Sequence, residues 1–496
     1  KEQPSAFHTN IPILSSEKAT GSNGFAFAPG ITASGNAILY INPHVTFYFR
    51  PEVHMVSQEG LNAYGAVTWG QFFIYQGFNE FCGWMHTSSE VDAADLYQET
   101  LDKKADQWQY QYENSWRPVQ EKKITLHYLE KGESVTQNFT TLFTHHGPIL
   151  ARRGERYLSL RADNRIAAGL IQCWKRTKTK SFQAFQQNLE LKGNISNNTV
   201  YADAQGNIAY WHGNRIPVRD PLINWANPVD GTTTRTEWKG LHPISEIVHV
   251  YNPQNGWLQN CNSTPFTVAG PMSPKSSDFP SYMAPDEENF RGLNAVRVLS
   301  KEKNYTLDQV IRAGYDTYLT AFEILIPALV KAFEQQVSPR DTAFAYWAGP
   351  IAVLKNWDFH SAENSIATTL AIEWGEHILP DLLRNPEYGS SEIGIVEKVR
   401  RYTNSAPPQK MLQALRETID GLNQRFGRWQ LPWGEINRFQ RIDPDLENKF
   451  DDAKESLPVG FVASFWGMLP SYTSHPYPGT KKRYGVNGNS FVCAVE

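Results

Sequence analysis

Short blocks of apolar residues separated by turn-forming sequences dominate the first part of the chain. The blocks at 24–28 and 37–41 flank the sequence TASGN, which predicts a strand, a turn and a second strand. The sequence YADAQGNIAYW at 201–211 predicts a hairpin with Gly206 in its turn. Further strand patterns cover 65–75, 122–129, 134–142 and 156–161.

The pattern changes near residue 300. Thr306 and Gln309 fit a capping box, the side-chain arrangement that starts a helix. Apolar residues then recur at helical spacing over 318–336, 362–378 and 408–425, and strand and loop character returns after residue 455. This order predicts an α+β protein in which a helical insertion interrupts a β-rich body.

The amino-acid composition limits the classes of molecule that the protein is expected to bind. The chain has 496 residues with 41% hydrophobic residues, 20% charged residues and a net charge of −4, which are ordinary values for a globular protein. A basic stripe and a membrane-length apolar run are both absent from the sequence, so we expect neither a nucleic acid nor a membrane as partner. The four cysteines show no zinc-binding spacing.

The 15 tryptophans admit two interpretations. Aromatic side chains usually fill cores, and we favour that interpretation. They also line sugar-binding clefts, which leaves a secreted carbohydrate-active or sugar-binding protein as the alternative. That alternative requires a pair of catalytic carboxylates and no self-cleavage.

Ser22 is a candidate nucleophile that needs an unusual base. Its surroundings do not match the G-x-S-x-G elbow, and the S-x-x-K sequence at 15–18 lacks its K-T-G companion. The α-amine of Ser22 could itself serve as base, because α-amines titrate near pH ~8. This requires scission of the Gly21–Ser22 bond, and a glycine at that position leaves the carbonyl open to attack. By itself, a Gly-Ser-Asn sequence is normally only a turn.

The sequence SNGFAFAPGITASGNAILYINPH at 22–44 closely resembles the start of the β-subunit in the penicillin acylase family. That family of N-terminal-nucleophile hydrolases includes penicillin G acylases, cephalosporin acylases and acyl-homoserine-lactone acylases. The resemblance implies a four-layer αββα sandwich, a processing site at Gly21 and Ser22, and Ser22 as the catalytic nucleophile. It also implies that His44 contacts and orients the Ser22 amine.

Further family motifs follow in the same order. The sequence GFNEFCGWMHTS at 77–88 resembles the family's oxyanion segment, which implies that Ser88 supplies a main-chain N–H. The sequences WKGLHP (238–243), VYNPQNG (250–256) and QNCN (259–262) resemble consecutive motifs and place the family's catalytic asparagine on Asn262. The sequence FRGLNAVR at 290–297 places the active-site arginine on Arg291, which would lower the amine pKa and orient Asn262.

The resemblance also implies a substrate pocket and a metal site. The positions that line the acyl pocket of penicillin G acylases with phenylalanines carry Val45, Gln76 and Glu90 here, with His86 nearby, and these side chains do not suit a phenylacetyl ring. Asp92 and Asp95 match the family's D-x-V-D calcium ligands; they could equally cap a following helix. We expect no organic cofactor and a structural Ca²⁺ at most.

A second metal interpretation concerns His145 and His146. Adjacent residues on a strand point to opposite faces, so these two histidines are expected to have a structural role.

Together these observations predict an amidohydrolase that cleaves linear or side-chain N-acyl amides, or alternatively a family member that binds without catalysis. We expect residues 1–21 to be the end of a spacer, 22–300 the nucleophile-domain core and 301–430 a mostly helical insertion. Residues 431–496 are expected to return to the core and to be C-terminally truncated. The resemblance further implies a separate α-subunit from the same precursor, a small acyl amide as substrate, and a periplasmic or secreted location.

Overall fold

The computed structural model describes residues 21–163, 166–389, 393–441 and 449–496. The predicted spacer at 1–21 lies outside the described residues except for Gly21, which is the first residue of a strand. The S-x-x-K sequence at 15–18 lies outside them as well.

Within these ranges the strands are, in chain order, Gly21–Phe27 (β1), Ile38–Thr46 (β2), Glu52–Ser57 (β3), Leu61–Ala66 (β4), Gln76–Asn79 (β5), Cys82–Ser88 (β6), Ala94–Glu99 (β7), Leu101–Lys104 (β8), Gln107–Tyr112 (β9), Ser115–Pro118 (β10), Gln120–Glu130 (β11), Glu133–Phe143 (β12), Ile149–Arg153 (β13), Arg156–Ala162 (β14), Asn197–Asp203 (β15), Ile208–Trp211 (β16), Val229–Asp230 (β17), His249–Tyr251 (β18), Trp257–Asn260 (β19), Asn437–Phe439 (β20), Leu457–Pro458 (β21), Tyr472–Pro476 (β22), Arg483–Asn489 (β23) and Cys493–Val495 (β24).

The α-helices of the same ranges are Ala167–Arg176 (α1), Phe182–Leu189 (α2), Phe290–Leu299 (α3), Leu307–Gly314 (α4), Thr320–Gln336 (α5), Phe344–Lys355 (α6), Ile366–Arg384 (α7), Ile395–Ser405 (α8), Pro408–Phe426 (α9) and Trp433–Ile436 (α10).

Two large sheets form the centre of the molecule. One has the order β19-β1-β2-β23-β20-β21, with β22 also paired to β23 and β24 to β2. The other has the order β18-β16-β15-β6-β5-β4-β3. A smaller sheet of order β13-β14-β7-β17 and the exposed hairpin β11–β12 lie outside this pair. The late strand β23 pairs with β2, so the end of the chain returns to the sheet in which it started.

The alternation of side chains along β1 explains how helices cover this sheet. Ala26 points into the core between the two sheets, where it meets Leu39 and Met85. Phe25 and Phe27 point to the opposite face, because successive side chains of a strand alternate. There they pack in the cluster to which the helices α3 and α4 contribute Ala295, Leu299 and Val310.

The second sheet is covered in the same way by α2. Phe185 and Leu189 of this helix pack in one cluster with Trp84, Tyr201 and Trp211. Helix, sheet, sheet and helix therefore form the four layers that the sequence predicts. A separate large hydrophobic cluster is formed by the helices from α5 through α9, and Trp374 is fully buried in it.

The aromatic residues mainly fill these cores. Trp84, Trp211, Trp374 and Trp433 are among the largest fully buried side chains of the described residues. The interpretation of the tryptophans as core residues is confirmed at these positions.

Several local predictions can be compared with the structure. The hairpin at 201–211 is confirmed, with Gly206 in its turn at a φ of 91°. The capping box of Thr306 and Gln309 is also confirmed. The predicted strand at 65–75 is wrong over most of its length, since β4 ends at Ala66 and residues 67–75 form a connection that includes Gly70 at a φ of 80°.

None of the helices in the described ranges is both long and apolar enough to cross a membrane.

Candidate active site

Ser22 lies in a strand of one of the two large sheets rather than in a linker. It is the second residue of β1, where it stands opposite Pro43 of β2, and Gly21 stands opposite His44. The side chain of Ser22 is buried, and its Oγ donates a hydrogen bond of 2.5 Å to the carbonyl oxygen of Gly21. The hydroxyl is therefore within reach of the peptide bond that precedes it, which is intact here.

A side chain at position 21 would have to displace Arg291. A Cβ atom at this position would lie 2.6 Å from Nη2 of Arg291 and 3.1 Å from Oδ1 of Asn262. The requirement for glycine thus comes from the close approach of Arg291. Gly21 is not among the residues with positive φ, so no left-handed backbone is needed.

Asn262 forms the closest contact with the backbone of Ser22. Its Oδ1 accepts a hydrogen bond of 2.6 Å from the Ser22 nitrogen, and its Nδ2 donates one of 2.8 Å to the carbonyl oxygen of Ser88. The backbone of Asn262 has a φ of 56°, in the left-handed region that asparagine tolerates better than most residues. The two residues predicted to form the oxyanion hole are therefore neighbours, next to Ser22.

Arg291 approaches Ser22 from the first turn of α3. Its Nη1 donates hydrogen bonds to the carbonyl oxygen of Ser22 (3.0 Å) and to Oδ1 of Asn23 (2.9 Å), and its Nη2 donates one to Oδ1 of Asn262 (3.0 Å). It forms no ion pair with a carboxylate among the described residues. Burial lowers the pKa of Arg291 from its ordinary value, as expected for a cation without a countercharge.

His44 is fully buried and makes no side-chain hydrogen bond within the described ranges. Burial, assisted by the charge of Arg291, holds the pKa of this imidazole well below its usual range, so it is neutral. In the intact chain the Ser22 nitrogen donates to Asn262 instead of contacting this ring. A contact of His44 with a free Ser22 amine stays a prediction.

Sequence reasoning missed the residues that hold Asn262 in place. Oδ1 of Asn260 accepts hydrogen bonds from the Asn262 nitrogen (3.0 Å), from Asn198 Nδ2 (3.2 Å) and from the Thr87 hydroxyl. Asn289, the N-cap of α3, donates a hydrogen bond of 2.8 Å to the Asn262 carbonyl oxygen. The dense asparagine sequence at 260–262 was the available signal.

Known proteins resemble this chain in sequence and in fold. A family model described as penicillin amidase matches residues 2–495. The chain belongs to the penicillin amidase family. It is 29% identical over 257 residues to a penicillin G acylase of Escherichia coli, an alignment that covers 50% of this chain and 29% of that protein. It is 28% identical over 269 residues to the acyl-homoserine lactone acylase QuiP of Pseudomonas fluorescens, covering 50% of this chain and 31% of that protein.

A solved structure of a thermostable penicillin G acylase from Alcaligenes faecalis matches with a TM-score of 0.64 and 20% identity, over 82% of this chain and 79% of that one. At this identity the match supports the fold alone. The alignments to the two curated relatives span only about a third of their length.

The predicted acyl pocket of this penicillin amidase family member contains buried polar groups. Gln76 is fully buried, and neither atom of its amide has a partner in the described part of the chain. His86 is also buried, and its Nδ1 lies 3.1 Å from the carbonyl oxygen of Asn198 while its Nε2 has no such partner. Because a carbonyl oxygen can only accept, Nδ1 carries the proton and Nε2 is an unused acceptor. Val45 is half-buried and Glu90 is exposed.

Arg50 was missed by the sequence analysis of this pocket. Its guanidinium carbon lies 4.6 Å from the ring centre of Tyr75, the neighbour of Gln76 in sequence, and that ring lies 5.0 Å from the His86 ring. Nε and Nη1 of Arg50 are buried without a hydrogen-bond partner among the described residues. The chain thus places a cation against the Tyr75 ring, which in turn lies close to His86.

Asp92 and Asp95, the predicted calcium ligands, bind a side chain of the protein itself. Oδ2 of Asp95 lies 2.9 Å from Nε of Arg219, and Oδ2 of Asp92 lies 3.4 Å from Nη2 of the same residue. Neither aspartate caps an α-helix, since β7 begins at Ala94. The residues present therefore do not fit a calcium ion, because a guanidinium lies between its expected ligands.

The prediction that His145 and His146 point to opposite faces is wrong. They lie in the connection between β12 and β13, not on a strand, and their ring centres are 3.8 Å apart. Both Nε2 atoms contact Oε1 of Glu237, at 2.7 and 3.1 Å, and these three groups could together hold a metal ion. Nδ1 of His146 meets Oε1 of Glu99 at 2.8 Å, so two carboxylates already bind this imidazole and raise its pKa although burial opposes them. The contacts support the structural role expected for the pair.

Proposed function

We propose that this protein is an amidohydrolase that transfers the acyl group of an N-acyl amide to Ser22, after scission has made Ser22 the N-terminus of a chain. The observation that supports this most directly is the convergence of segments distant in sequence on one serine. Asn262 and Arg291 both hydrogen-bond to the backbone of Ser22, and Ser88 is bonded to Asn262.

Scission begins with the Ser22 hydroxyl. Its oxygen attacks the carbonyl carbon of Gly21, the C–N bond breaks, and the hydroxyl proton passes to the departing nitrogen. Water then hydrolyses the ester, which leaves a carboxylate on Gly21 and a free α-amine on Ser22. The hydrogen bond of 2.5 Å from Ser22 Oγ to the Gly21 carbonyl oxygen supports this step, because it keeps the hydroxyl close to that carbonyl group.

The freed amine is the base of the amidase reaction. It takes the proton of its own hydroxyl by way of a water molecule, and the oxygen attacks the substrate carbonyl. The positive charge of Arg291, close to the amine, favours its neutral form and so increases the fraction that can accept a proton.

The developing oxyanion is stabilised by the main-chain N–H of Ser88 and by Nδ2 of Asn262. In the intact chain Nδ2 is directed at the Ser88 carbonyl oxygen, so a substrate oxygen competes with that carbonyl for the same donor. The amine product then leaves, and water hydrolyses the acyl-enzyme.

The acyl group of the proposed substrate carries a polar end. Unpaired buried polar groups cost about 1–3 kcal/mol each, and a ligand that pairs them recovers this energy. Gln76, His86 and Arg50 offer such groups, and a hydrogen-bond acceptor such as a carboxylate suits the Arg50 guanidinium. A panel of chromogenic amides with phenylacetyl and carboxyl-ended acyl chains tests this; a clear preference for phenylacetyl would contradict it.

The test of the mechanism compares Ser22→Ala with Ser34→Ala, an exposed serine on the following turn. We expect Ser22→Ala to remain uncleaved by intact-mass spectrometry and to show no turnover of a chromogenic acyl amide. Ser34→Ala should be cleaved before Ser22 and remain active. Turnover by uncleaved protein would contradict the mechanism, because the Ser22 nitrogen is then part of an amide and cannot act as a base. The separate α-subunit and the exported location remain predictions.

A further inference from the structure

The guanidinium of Arg219 lies between the side chains of Asp92 and Asp95. These two residues are close to each other in sequence, and both are distant in sequence from Arg219. Its Nε is 2.9 Å from Oδ2 of Asp95, and its Nη2 is 3.4 Å from Oδ2 of Asp92. The side chain of Arg219 is completely buried, and that of Asp95 is almost so. Burying a cation costs free energy, and carboxylates at short range offset that cost.

Aromatic rings enclose the same guanidinium. Its central carbon lies 5.5 Å from the ring centre of Trp225, 5.7 Å from that of Trp238 and 5.5 Å from that of Tyr282. These distances are within the range of attraction between a cation and an aromatic face. The indole Nε1 of Trp238 also donates a hydrogen bond to Oδ2 of Asp95.

A guanidinium in this position suits a divalent metal poorly, although Oδ1 of Asp95 is buried without a hydrogen-bond partner among the described residues. Ca²⁺ requires about six to eight oxygen ligands, whereas arginine offers only N–H donors. Oδ2 of Asp95 already accepts hydrogen bonds from Arg219 and from Trp238. A second cation would also be repelled by the guanidinium at short range inside the protein.

We propose that Arg219 is a built-in cation, which does for Asp92 and Asp95 what a bound Ca²⁺ would do, so that this part of the fold forms without a divalent metal. The consequence is local. Arg219 connects the loop before β7 to the segment that follows β16, and it thereby ties two regions together through a side chain that cannot be removed by a chelator. The inference does not depend on the proposed amidase reaction, because its readout is unfolding.

The first experiment compares thermal unfolding of the full wild-type chain in excess EDTA and in excess CaCl₂. We expect the two midpoints to coincide. A wild-type midpoint that falls in EDTA, by a difference that Asp92→Asn abolishes, would overturn the proposal, since it would show a calcium ion bound through Asp92.

The second experiment removes the cation. Arg219→Ala leaves two neighbouring carboxylates without their partner and should lower the midpoint by roughly 5 °C or more in EDTA. Because it also opens space between them, CaCl₂ should restore part of the loss. Arg219→Lys keeps a positive charge and should remain insensitive to CaCl₂, which preserves the test if Arg219→Ala does not fold.

Arg161 supplies the matched control. Its guanidinium carbon lies 4.3 Å from the ring centre of Trp238, and its charge acts on Asp95 from a distance, but its ion pair is with Glu237. Arg161→Ala should not gain a response to CaCl₂. A folded Arg219→Ala protein that responds to CaCl₂ no more than Arg161→Ala would refute the equivalence of Arg219 with a metal ion.

Discussion

Two buried arginines of this molecule illustrate opposite uses of the same side chain. Arg219 is held by two carboxylates and enclosed by aromatic rings, so its charge is cancelled where it stands. Within the described ranges Arg291 donates only to neutral oxygens of Ser22, Asn23 and Asn262, so its charge acts on its surroundings. The comparison teaches that the partners of a buried cation, more than its burial, distinguish a structural role from a chemical one.

The largest effect is expected when each of the two arginines is replaced by methionine and turnover and stability are compared. Arg291→Met should lower turnover by about 10²-fold or more, since it releases Asn262 and removes the field that keeps the amine neutral. Its unfolding free energy should change little, because an uncompensated buried charge is lost. Arg219→Met should lower the unfolding free energy by about 3–5 kcal/mol and leave turnover per folded, cleaved molecule within a few-fold.

Chemical denaturation and steady-state kinetics on both variants check this crossed pattern. If Arg291→Met were the less stable protein and Arg219→Met the less active one, the comparison would be refuted.

Asp286 is a buried carboxylate that forms no ion pair with an arginine among the described residues. It therefore contrasts with Asp92 and Asp95, which pair with Arg219. Asp286 accepts a hydrogen bond of 2.8 Å from the Glu90 nitrogen and lies 3.3 Å from Nε2 of His212, and burial raises its pKa to about 7 from 3.8. Burial lowers the pKa of His212 to about 3, so that imidazole is neutral and offers no countercharge.

Because the folded pKa of Asp286 is the higher one, its contribution to stability is complete below pH ~4 and is lost as pH rises through about 7. Asp286→Asn should therefore gain about 2–4 kcal/mol relative to the wild type between pH ~4 and ~8. Urea unfolding at the two pH values measures this. Parallel pH dependence in both proteins would show that Asp286 ionises without cost.

The pH dependence of turnover tests the open charge of Arg291 directly. The Ser22 amine must be neutral to act, so kcat/KM should rise with pH and level off above the amine pKa. In cleaved Arg291→Met that midpoint should move up by about one pH unit, because a nearby cation no longer favours the neutral amine. No step from His44 is expected near pH ~6.5, since its pKa is far lower. An unmoved midpoint would contradict the role given to Arg291.

The smallest effect concerns the helix that carries Arg291. Asn289 caps α3 and also bonds to the Asn262 carbonyl oxygen, whereas Ser365 caps α7 within the helical cluster. Removing either cap by alanine should cost about 1 kcal/mol of stability. Only Asn289→Ala should also reduce turnover, by a few-fold, and equal turnover in both variants would argue against positioning by Asn289.

Much of the candidate site could be predicted from the sequence motifs alone. Ser22, Ser88, Asn262 and Arg291 lie in four separate segments, and their resemblance to family motifs placed them together. The steric reason for Gly21 could not be obtained this way, because it depends on the position of a guanidinium 270 residues later in the chain.

Contacts between distant residues also limit what the sequence shows. Asp92 and Asp95 fit a calcium motif locally, but the contact of Asp95 with Arg219, 124 residues away in sequence, was visible only in the structure. The prediction for His145 and His146 failed because the chain leaves the strand just before them. Helices α1, α2, α3 and α10 were not predicted, whereas α6 and α8 lie within the region that the sequence predicts to be mostly helical.

The crowding around Gly21 has a consequence for how the molecule is kept silent. On the proposed mechanism, this residue sits against Ser22 where the carbonyl of an incoming amide must later sit, under the same Asn262 and Arg291 side chains. The uncleaved protein is therefore its own first substrate. Until the peptide that ends at Gly21 departs, that peptide also blocks the substrate position. Departure of the peptide that ends at Gly21 therefore both frees the Ser22 amine as a base and empties the position that the substrate carbonyl takes.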